Sequence, residues 1–579
     1  MNNKQDKSAR KSFYIVIIAL PFLILAIAEG LLRLAGFGQS YPLFVPASSL
    51  SGYLQPNPEV IKRYFSNPDF APSISPDTVY FKETKSADSF RIVVQGGSSA
   101  AGFPYGRFGS LSGMLQQRFK RQYPDRDIEI INTAMSAVNS YTLLDLTDDI
   151  LAIEPDLVLI YAGHNEFLGI MGVGSTLAAR GGRNASLLYL RFKELRLYQL
   201  MQQVFLLFQD KPDVSKSNDR TLMAQVAAGQ TIPYNSDTYH DGLAQFSDNL
   251  DLILTKYRAN NIPVIIGTLA SNEKDQPPFV SGTEAENADE QYQQAIAAYK
   301  LGNYEQARAL FQNARDRDQL RFRAPSAYNE LIRDKIDNEL IFLAESEQRI
   351  RDDEKTGIIG YGHMLEHLHP NARGYFLLAE AYADVISEQQ FLSQPALSIP
   401  LAEAWQDIPL TEVDKLVAND KIRQLTSGYP FKETQRSVMP PVNNDFNQQM
   451  AQKRLQGGDW LETMQTMLTQ YQRQERFPAA AKVAAIMSDA LPDQHQIAYI
   501  AGQLYFKVND LPMALYYHKQ ALAMEPQNTN YLLMAARSYY MNRDLPTSIK
   551  LLEQAVRLAP DNQQAKFQLQ RIKAELTGG

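Results

Sequence analysis

The sequence of 579 residues contains no cysteine. Without a thiol the chain forms no disulfide, offers no thiolate ligand to a metal and has no cysteine nucleophile. It also lacks any dense run of lysine and arginine, and its formal net charge is only -7. Such a chain has no positive stripe to hold a phosphate backbone, so nucleic acid is not an expected partner. The missing cysteines do not by themselves fix the cellular compartment.

One long apolar run lies near the N-terminus. Residues 13–28 carry no charge, and continuation to residue 34 gives about 22 residues, enough for a helix to cross a bilayer. Four basic residues precede the run, whereas after Arg33 no lysine or arginine occurs before Lys62. This bias predicts a basic cytoplasmic tail over residues 1–12, a single-pass signal anchor over residues 13–34 in the cytoplasmic membrane, and a periplasmic remainder.

Two details of this segment bear on its role. Glu29 and Arg33 are four residues apart, so they can pair on one helix face near the outer interface of the membrane. Ala26-Ile27-Ala28 has the small-x-small form that a signal peptidase accepts, so a cleaved signal peptide is the competing interpretation, with a buried core helix as the third. Anchor and signal peptide both export the residues that follow.

The middle of the chain has the pattern of an α/β domain. At this length two or three separately packed units are expected. Residues 35–88 are rich in proline, serine, tyrosine and asparagine and predict an irregular linker, one that can wrap the next domain. Over residues 89–390, four short apolar runs alternate with helical patterns, which predicts a three-layer, doubly wound parallel sheet. The predicted strands are Arg91 to Gln95, Ile128 to Asn132, Asp156 to Tyr161 and Pro263 to Thr268.

Two insertions interrupt this α/β rhythm. Residues 169–238 hold a glycine-rich stretch and then an apolar, helix-like run from Leu187 to Phe208, which predicts a lid or substrate wall. Residues 288–350 are assigned to a second insertion. It opens with two helical stretches joined by Leu301-Gly302-Asn303, the pattern of a helical hairpin.

The C-terminal part contains repeats. After a partly helical linker over residues 391–459, residues 460–579 show a period of 34. Two series of prolines share this period: Pro478, Pro512 and Pro546, and Pro492, Pro526 and Pro560. Small residues and aromatics recur at the same interval, so the segment resembles the tetratricopeptide repeat (TPR). The resemblance implies an all-α solenoid that binds a protein partner, with a degenerate first unit from Trp460 to Asp493.

Four short motifs carry the chemistry. Gly96-Gly97-Ser98-Ser99 follows the first predicted strand, where a sharp turn presents a serine at the carboxyl edge of the sheet. The other three motifs are Asn132-Thr-Ala-Met-Ser136-Ala137, Gly163-His164-Asn165-Glu166 and Glu366-His367-Leu368-His369-Pro370-Asn371. In order and in position at the strand ends, the four resemble the blocks of the SGNH/GDSL hydrolase family.

This resemblance implies a role for each matching residue. Ser98 is the nucleophile, His369 the general base that takes its proton, and Glu366 the carboxylate that orients the imidazole. The oxyanion is met by the backbone N–H groups of Ser98 and Ala137 and by the side-chain amide of Asn165. Three further residues are expected near the substrate: Gly163, His164 and Asn272.

Three positions depart from the family pattern. Glu366 stands where the family has aspartate, Ala137 where it has glycine, and Gly97 where it has aspartate. The exchange of glycine for alanine is tolerable unless φ is positive. Because of these departures, an envelope scaffold without activity remains an alternative.

The segment His363-Met-Leu-Glu366-His367 also matches H-x-x-E-H, an inverted zinc-protease motif. That chemistry needs both histidines on one face of a helix. Gly360 and Gly362 precede the motif and Pro370 follows it, so a helix is not expected there.

The sequence therefore predicts a membrane-anchored serine hydrolase that acts on an acetyl or acyl ester of a small molecule, a lipid or an envelope carbohydrate. Transfer of the acyl group to another hydroxyl is the alternative reaction. The resemblance implies no metal and no organic cofactor.

Overall fold

The computed structural model describes residues 2–65, 67–175, 182–206, 230–283, 287–392, 397–431 and 445–576. Its centre is a five-stranded parallel sheet with the strand order β5-β4-β6-β7-β8. The strands are β4 (Ser89–Gly96), β5 (Asp127–Asn132), β6 (Leu157–Tyr161), β7 (Val264–Gly267) and β8 (Ile341–Ala344). The side chains of β4, β6 and β7 are almost all buried, as expected when helices cover both faces of a parallel sheet, whereas the first half of the edge strand β5 is not.

The helices of the chain, numbered in order, have the following bounds. They are α1 (Asn2–Leu34), α2 (Ser98–Ala101), α3 (Leu111–Gln122), α4 (Ser140–Leu151), α5 (Gly182–Phe192), α6 (Arg196–Leu206), α7 (Asp237–Ala259), α8 (Ala288–Lys300), α9 (Tyr304–Arg317), α10 (Ser326–Arg333), α11 (Ser346–Asp352), α12 (Ala372–Glu388), α13 (Leu401–Gln406), α14 (Glu412–Thr426), α15 (Phe446–Leu455), α16 (Trp460–Arg473), α17 (Phe477–Ala490), α18 (His495–Lys507), α19 (Leu511–Met524), α20 (Thr529–Met541), α21 (Leu545–Leu558) and α22 (Gln563–Leu576).

The sheet is covered by two pairs of helices. Helices α3 and α12 pack together, and so do α4 and α7. The crossover from β4 to β5 runs in the opposite direction along the sheet from the later crossovers. Right-handed connections therefore put α3 on one face and α4 and α7 on the other. The predicted three-layer, doubly wound sheet is confirmed, and the strand order reverses beside β4.

The fifth strand was not predicted. Residues Ile341–Ala344 pair with β7, although the sequence pattern assigned residues 288–350 to an insertion. The helical hairpin of that insertion is α8 and α9, which pack tightly on each other. After it the chain returns to complete the sheet. A strand of four residues carries too little pattern to be told from part of a helix.

The linker before the sheet is more ordered than its composition suggests. Residues 35–88 contain a small antiparallel sheet of β1 (Phe44–Pro46), β2 (Tyr53–Pro56) and β3 (Phe81–Lys82). Apolar residues from this segment join the main core, among them Leu43, Val60 and Phe81. It is therefore part of the α/β domain and not a free connection.

The first insertion holds two helices, α5 and α6, where the sequence predicted one run from Leu187 to Phe208. The break comes at Lys193–Leu195, where the Lys193 side chain is buried and paired with Asp145 of α4. The rest of that run and residues up to 229 lie outside the described residues.

The C-terminal helical array alternates short antiparallel helices from α16 to α22. Pro478, Pro512 and Pro546 each stand in the first turn of the second helix of a pair, where a missing N–H costs no hydrogen bond. Alanines such as Ala480 and Ala514 are fully buried where helices meet closely. The predicted period of 34 therefore corresponds to pairs of helices.

The helical array is fastened to the α/β domain through α3. Lys120 pairs with Asp489, and Arg121 pairs with Asp407 and Asp510, the latter at 2.7 Å. The ring of Phe108 stacks on that of Trp460. The first helices of the array are thus covered by the α/β domain of the same chain.

Helix α1 is the one helix, within the part of the chain that the structure describes, that is long and apolar enough to cross a membrane. The segment Ile17–Leu34 has a mean hydropathy of 2.2, and none of it is buried in the protein. By length and composition this helix can span a bilayer.

The contact between array and domain can be tested with Arg121→Ala. The substitution leaves two half-buried carboxylates without their cation. We therefore expect the free energy of opening the array away from the α/β domain to fall by about 2 kcal/mol. Native-state hydrogen exchange of α18 and α19 in the full chain measures this. Lys519→Ala, which removes an exposed pair with Asp125 at the same contact, should cost less than about 1 kcal/mol. Equal effects of the two variants would contradict the assignment.

Candidate active site

The strand register brings the sequence motifs to one edge of the sheet. Gly96 at the end of β4 is paired with Tyr161 at the end of β6. Ser98 and Gly163 therefore leave the sheet side by side. On the other side of β4 the chain continues its ladder beyond β5, since Met135 N–H donates to the Gly96 carbonyl at 3.2 Å. This extension carries Ala137 toward Ser98, at the point where the strand order reverses.

Ser98 opens the single turn of α2, directly after the strand. The turn is closed by Ala101 N–H, which donates to the Gly97 carbonyl at 3.0 Å. The Asn132 amide, from the end of β5, donates to the Ala100 carbonyl at 3.0 Å. The second motif thus braces the turn that holds the serine.

His369 lies on the loop that precedes α12. This loop folds back on itself, because Leu365 N–H donates to the His369 carbonyl at 2.8 Å and Asn371 N–H donates to the His363 carbonyl at 2.8 Å. The Asn371 side chain caps the first turn of α12. The start of that helix therefore fixes where the loop ends.

The structure brings Ser98, His369 and Glu366 together. Ser98 Oγ lies 2.8 Å from His369 Nε2, and His369 Nδ1 donates to Glu366 Oε1. In this arrangement Nδ1 carries the ring hydrogen, so Nε2 is free to accept the serine proton. The geometry is that of a nucleophile, a base and an orienting carboxylate.

The Glu366 carboxylate is almost completely buried and satisfied by its own loop. It accepts hydrogen bonds from the backbone N–H of His369 at 2.8 Å and of His367 at 2.6 Å. Asn272 donates from its side chain to the Glu366 carbonyl at 3.1 Å, and its N–H donates to the His367 carbonyl at 2.9 Å. Asn272, expected near the substrate, is instead fully buried as a brace under this loop.

Burial sets the protonation of the histidine. It lowers the pKa of His369 to about 3, so the ring is neutral near pH 7. The ring of Phe103 packs on the imidazole with centroids 4.7 Å apart. A neutral imidazole is the form that can accept a proton from Ser98.

Two of the proposed oxyanion donors come from the second and third motifs, Ala137 and Asn165. Ala137 has φ of 60°, the left-handed region, and its carbonyl accepts from Ile170 N–H at 2.8 Å. Glycine would adopt this conformation without strain, whereas alanine pays about 1 kcal/mol or more. Alanine at this position is therefore less well tolerated than the sequence alone suggested.

Asn165 lies directly beside Gly97. A Cβ atom on Gly97 would stand 2.9 Å from Asn165 Nδ2, closer than real contacts allow. Within the described residues the Asn165 side-chain amide has no hydrogen-bond partner. The glycine that departs from the family pattern thus leaves room for this amide.

The two residues that precede Asn165 in the third motif are buried. His164 Nδ1 accepts from the Ala324 N–H at 3.2 Å, and burial, with His369 and Arg315 nearby, lowers the pKa of His164 to about 3. Gly163 has φ of 151°, and a Cβ there would meet the Leu269 side chain at 2.4 Å. Close packing against Leu269 therefore explains why a glycine stands at position 163.

The alternative zinc motif is not assembled, because the segment forms bends and no helix. His363 pairs with Asp353 and Glu354. His367 lies instead among the rings of Phe279, Phe322 and Phe431. Among the described residues no group of three or more histidine or acidic side chains is arranged to hold a metal.

Sequence reasoning missed two buried supports of the site. Glu166 accepts from Ser140 N–H and from Gln245, and burial raises the pKa of Glu166. Arg323 donates to the carbonyl of Asn272 at 2.9 Å and pairs with Asp318. Glu166 follows Asn165 directly in the third motif, and this position was the one sequence feature that could have indicated its role. No sequence feature pointed to Arg323 as a support of the site.

A cavity of about 710 Å³ lies beside Glu366. The helical hairpin contributes one wall and the loop after β7 another. Aromatic rings dominate its lining: Phe279, Tyr292, Tyr299, Phe311, Tyr361 and Phe431.

No family model and no curated protein matches the chain. Among solved structures, the acetyl xylan esterase AlAXEase is 13% identical, and the match covers 51% of this chain and 100% of that one, with a TM-score of 0.25. Esterase EstA from Pseudoalteromonas sp. is also 13% identical, with 52% and 99% covered and a TM-score of 0.24. The first TPR domain of Spaghetti (RPAP3), bound to an HSP90 peptide, is 19% identical, with 20% and 90% covered and a TM-score of 0.19.

The contact of Gly97 with Asn165 predicts the effect of Gly97→Ala. The backbone of Gly97, at φ -89° and ψ -160°, admits alanine, so the fold should persist while the new methyl displaces the amide. We expect kcat for an ester to fall by up to about 10²-fold, the cost of an impaired oxyanion donor. Gly428→Ala, at a glycine with open space around it, is the matched control. Full activity of Gly97→Ala would contradict the prediction that the methyl displaces the Asn165 amide from a donating position.

The neutral state of His369 predicts a pH dependence. A lowered histidine pKa means that the base stays unprotonated below the ordinary value of about 6.5. We therefore expect kcat/KM to be retained below pH 6.5 and to be lost only as the pH falls toward about 3. A rate profile measured together with tryptophan fluorescence separates titration from unfolding. An acid limb at pH 6.5 or above in folded protein would contradict this.

Proposed function

We propose that the protein is a serine hydrolase that cleaves carboxylic esters, anchored in a membrane with its catalytic domain outside the cytoplasm. The observation that carries the proposal is the hydrogen-bonded series from Ser98 Oγ through His369 to Glu366. The series is what supports the chemistry.

The reaction follows from these contacts. His369 Nε2 takes the proton of Ser98 as Oγ attacks the ester carbonyl. Glu366, which accepts from Nδ1, stabilises the imidazolium that forms. The oxyanion is met by the N–H groups of Ser98 and Ala137 and by the Asn165 amide. His369 then gives its proton to the leaving alcohol, and water attacks the acyl group on Ser98 by the same steps in reverse.

Neither Ser98 nor His369 lines the aromatic cavity, so its rings do not select the substrate. An acetyl or acyl ester of an envelope carbohydrate, or a lipid ester, is the substrate class that we propose. The helical array is proposed to bind a protein through the part of its surface that α3 leaves uncovered.

Burst release of p-nitrophenol from p-nitrophenyl acetate tests the chemistry in the full chain. We expect activity in the wild type, its loss in Ser98→Ala, and a decrease on the order of 10²- to 10⁴-fold in Glu366→Gln, which no longer favours the reactive tautomer. Ser136→Ala, a serine of the second motif with no assigned role, is the control. A folded wild type with neither a burst nor labelling of Ser98 by a fluorophosphonate would sink the proposal.

A further inference from the structure

Helix α6 presents an apolar face that the protein leaves uncovered. Met201 is 64% exposed and Phe205 is 63% exposed, and Leu200 and Val204 on the same face are also exposed. Glutamines occupy the opposite side of the helix. Helix α5 adds Leu188 and Phe192, both exposed as well. Exposed large apolar side chains in this number require a partner.

Helix α6 starts against α1 through a specific junction. The Glu29 carboxylate accepts from the N–H groups of Arg196 at 3.0 Å and Leu197 at 2.9 Å, so it caps the first turn of α6. Arg33 pairs with Glu29 and also donates to the Glu194 carbonyl at 3.2 Å. The apolar helix α1 and the insertion are therefore joined where the charges of α1 lie.

The contact covers only a short part of α1. Between residues 17 and 34, partial burial is confined to Ala28, Glu29, Gly30 and Leu32, and residues 17–27 are exposed throughout. Helix α6 thus crosses α1 near its C-terminal end and does not run down its length. Glu29 precedes Leu34 by five residues, which is about 7.5 Å along the axis. An interfacial helix buries its apolar face about 5–10 Å deep in the bilayer. The distance from the end of α1 to Glu29, where α6 starts, falls within this range.

The same insertion is fixed to the catalytic domain. Lys193 pairs with Asp145 of α4 at 2.9 Å. Arg63 pairs with Asp149 of α4 at 3.0 Å and with Glu194 at 3.2 Å. These ion pairs fix α5 and α6 in orientation relative to the α/β domain.

We propose that α5 and α6 lie in the interface of the lipid bilayer that α1 spans, with Leu188, Phe192, Met201 and Phe205 among the acyl chains. Helix α6 starts on α1 at Glu29, and residues 17–27 of α1 are themselves exposed and apolar, which makes lipid the occupant of the exposed face of α6. The catalytic domain is thereby held at one fixed orientation to the membrane. This inference rests on the proposed membrane anchor.

The absence of cysteine makes a direct test available. Single cysteines are introduced as Met201→Cys and Phe205→Cys, labelled with the environment-sensitive dye NBD, and the full chain is reconstituted in phosphatidylcholine and phosphatidylglycerol vesicles. We expect loss of NBD emission when the lipids carry a doxyl quencher near the headgroup, and a smaller loss when the quencher is deep. Gln203→Cys, exposed on the opposite side of α6, is the matched control and should keep its emission.

Two further positions separate failure of the inference from failure of the anchor. Leu25→Cys on α1 should be quenched most by the deep quencher, and Met541→Cys on the helical array by neither. Quenching at Leu25 with Met201 and Phe205 behaving like Met541 would overturn the inference and keep the anchor. No quenching at Leu25 would overturn both. Shielding of Met201 and Phe205 from iodide without lipid quenching would show that a protein covers the face, which also overturns the inference.

Discussion

The carboxylate of Glu366 accepts hydrogen bonds from two backbone N–H groups and from the imidazole of His369, all within one loop. That loop has no regular secondary structure to hold it. A buried charge that lost these donors would be costly, so the loop keeps the one conformation that satisfies it. The distance from His369 to Ser98 depends on that conformation, and with it the chemistry of the site.

The surrounding buried groups serve this loop and the serine turn. Asn272 holds the loop from below, and Arg323 holds Asn272 in turn. Glu166 fixes the third motif to the start of α4. Each of these polar groups is paired with a neighbour of fixed position, which is how a site built on loops becomes rigid.

Ion pairs join the parts of the chain at larger scale. Lys120 and Arg121 fasten the helical array to one face of the α/β domain, while Lys193 and Arg63 fasten the first insertion to another. The array, the α/β domain and the first insertion thus have defined positions relative to one another, and Glu29 joins the end of α1 to that insertion.

The sequence by itself determined the local features of this protein. The long uncharged apolar run identified α1, the period of 34 identified the paired helices, and short apolar runs identified four strands. Each of these patterns lies within one element or one repeat of the chain. The motifs also named Ser98, Glu366 and His369 before any geometry was known. Only the tertiary structure decided the rest: that Ile341–Ala344 completes the sheet, that Ala137 has positive φ, and that Asn272 is a brace. These depend on which distant residues meet, and contacts between residues far apart in the sequence, such as Asn272 and Glu366, leave no periodic trace in the chain.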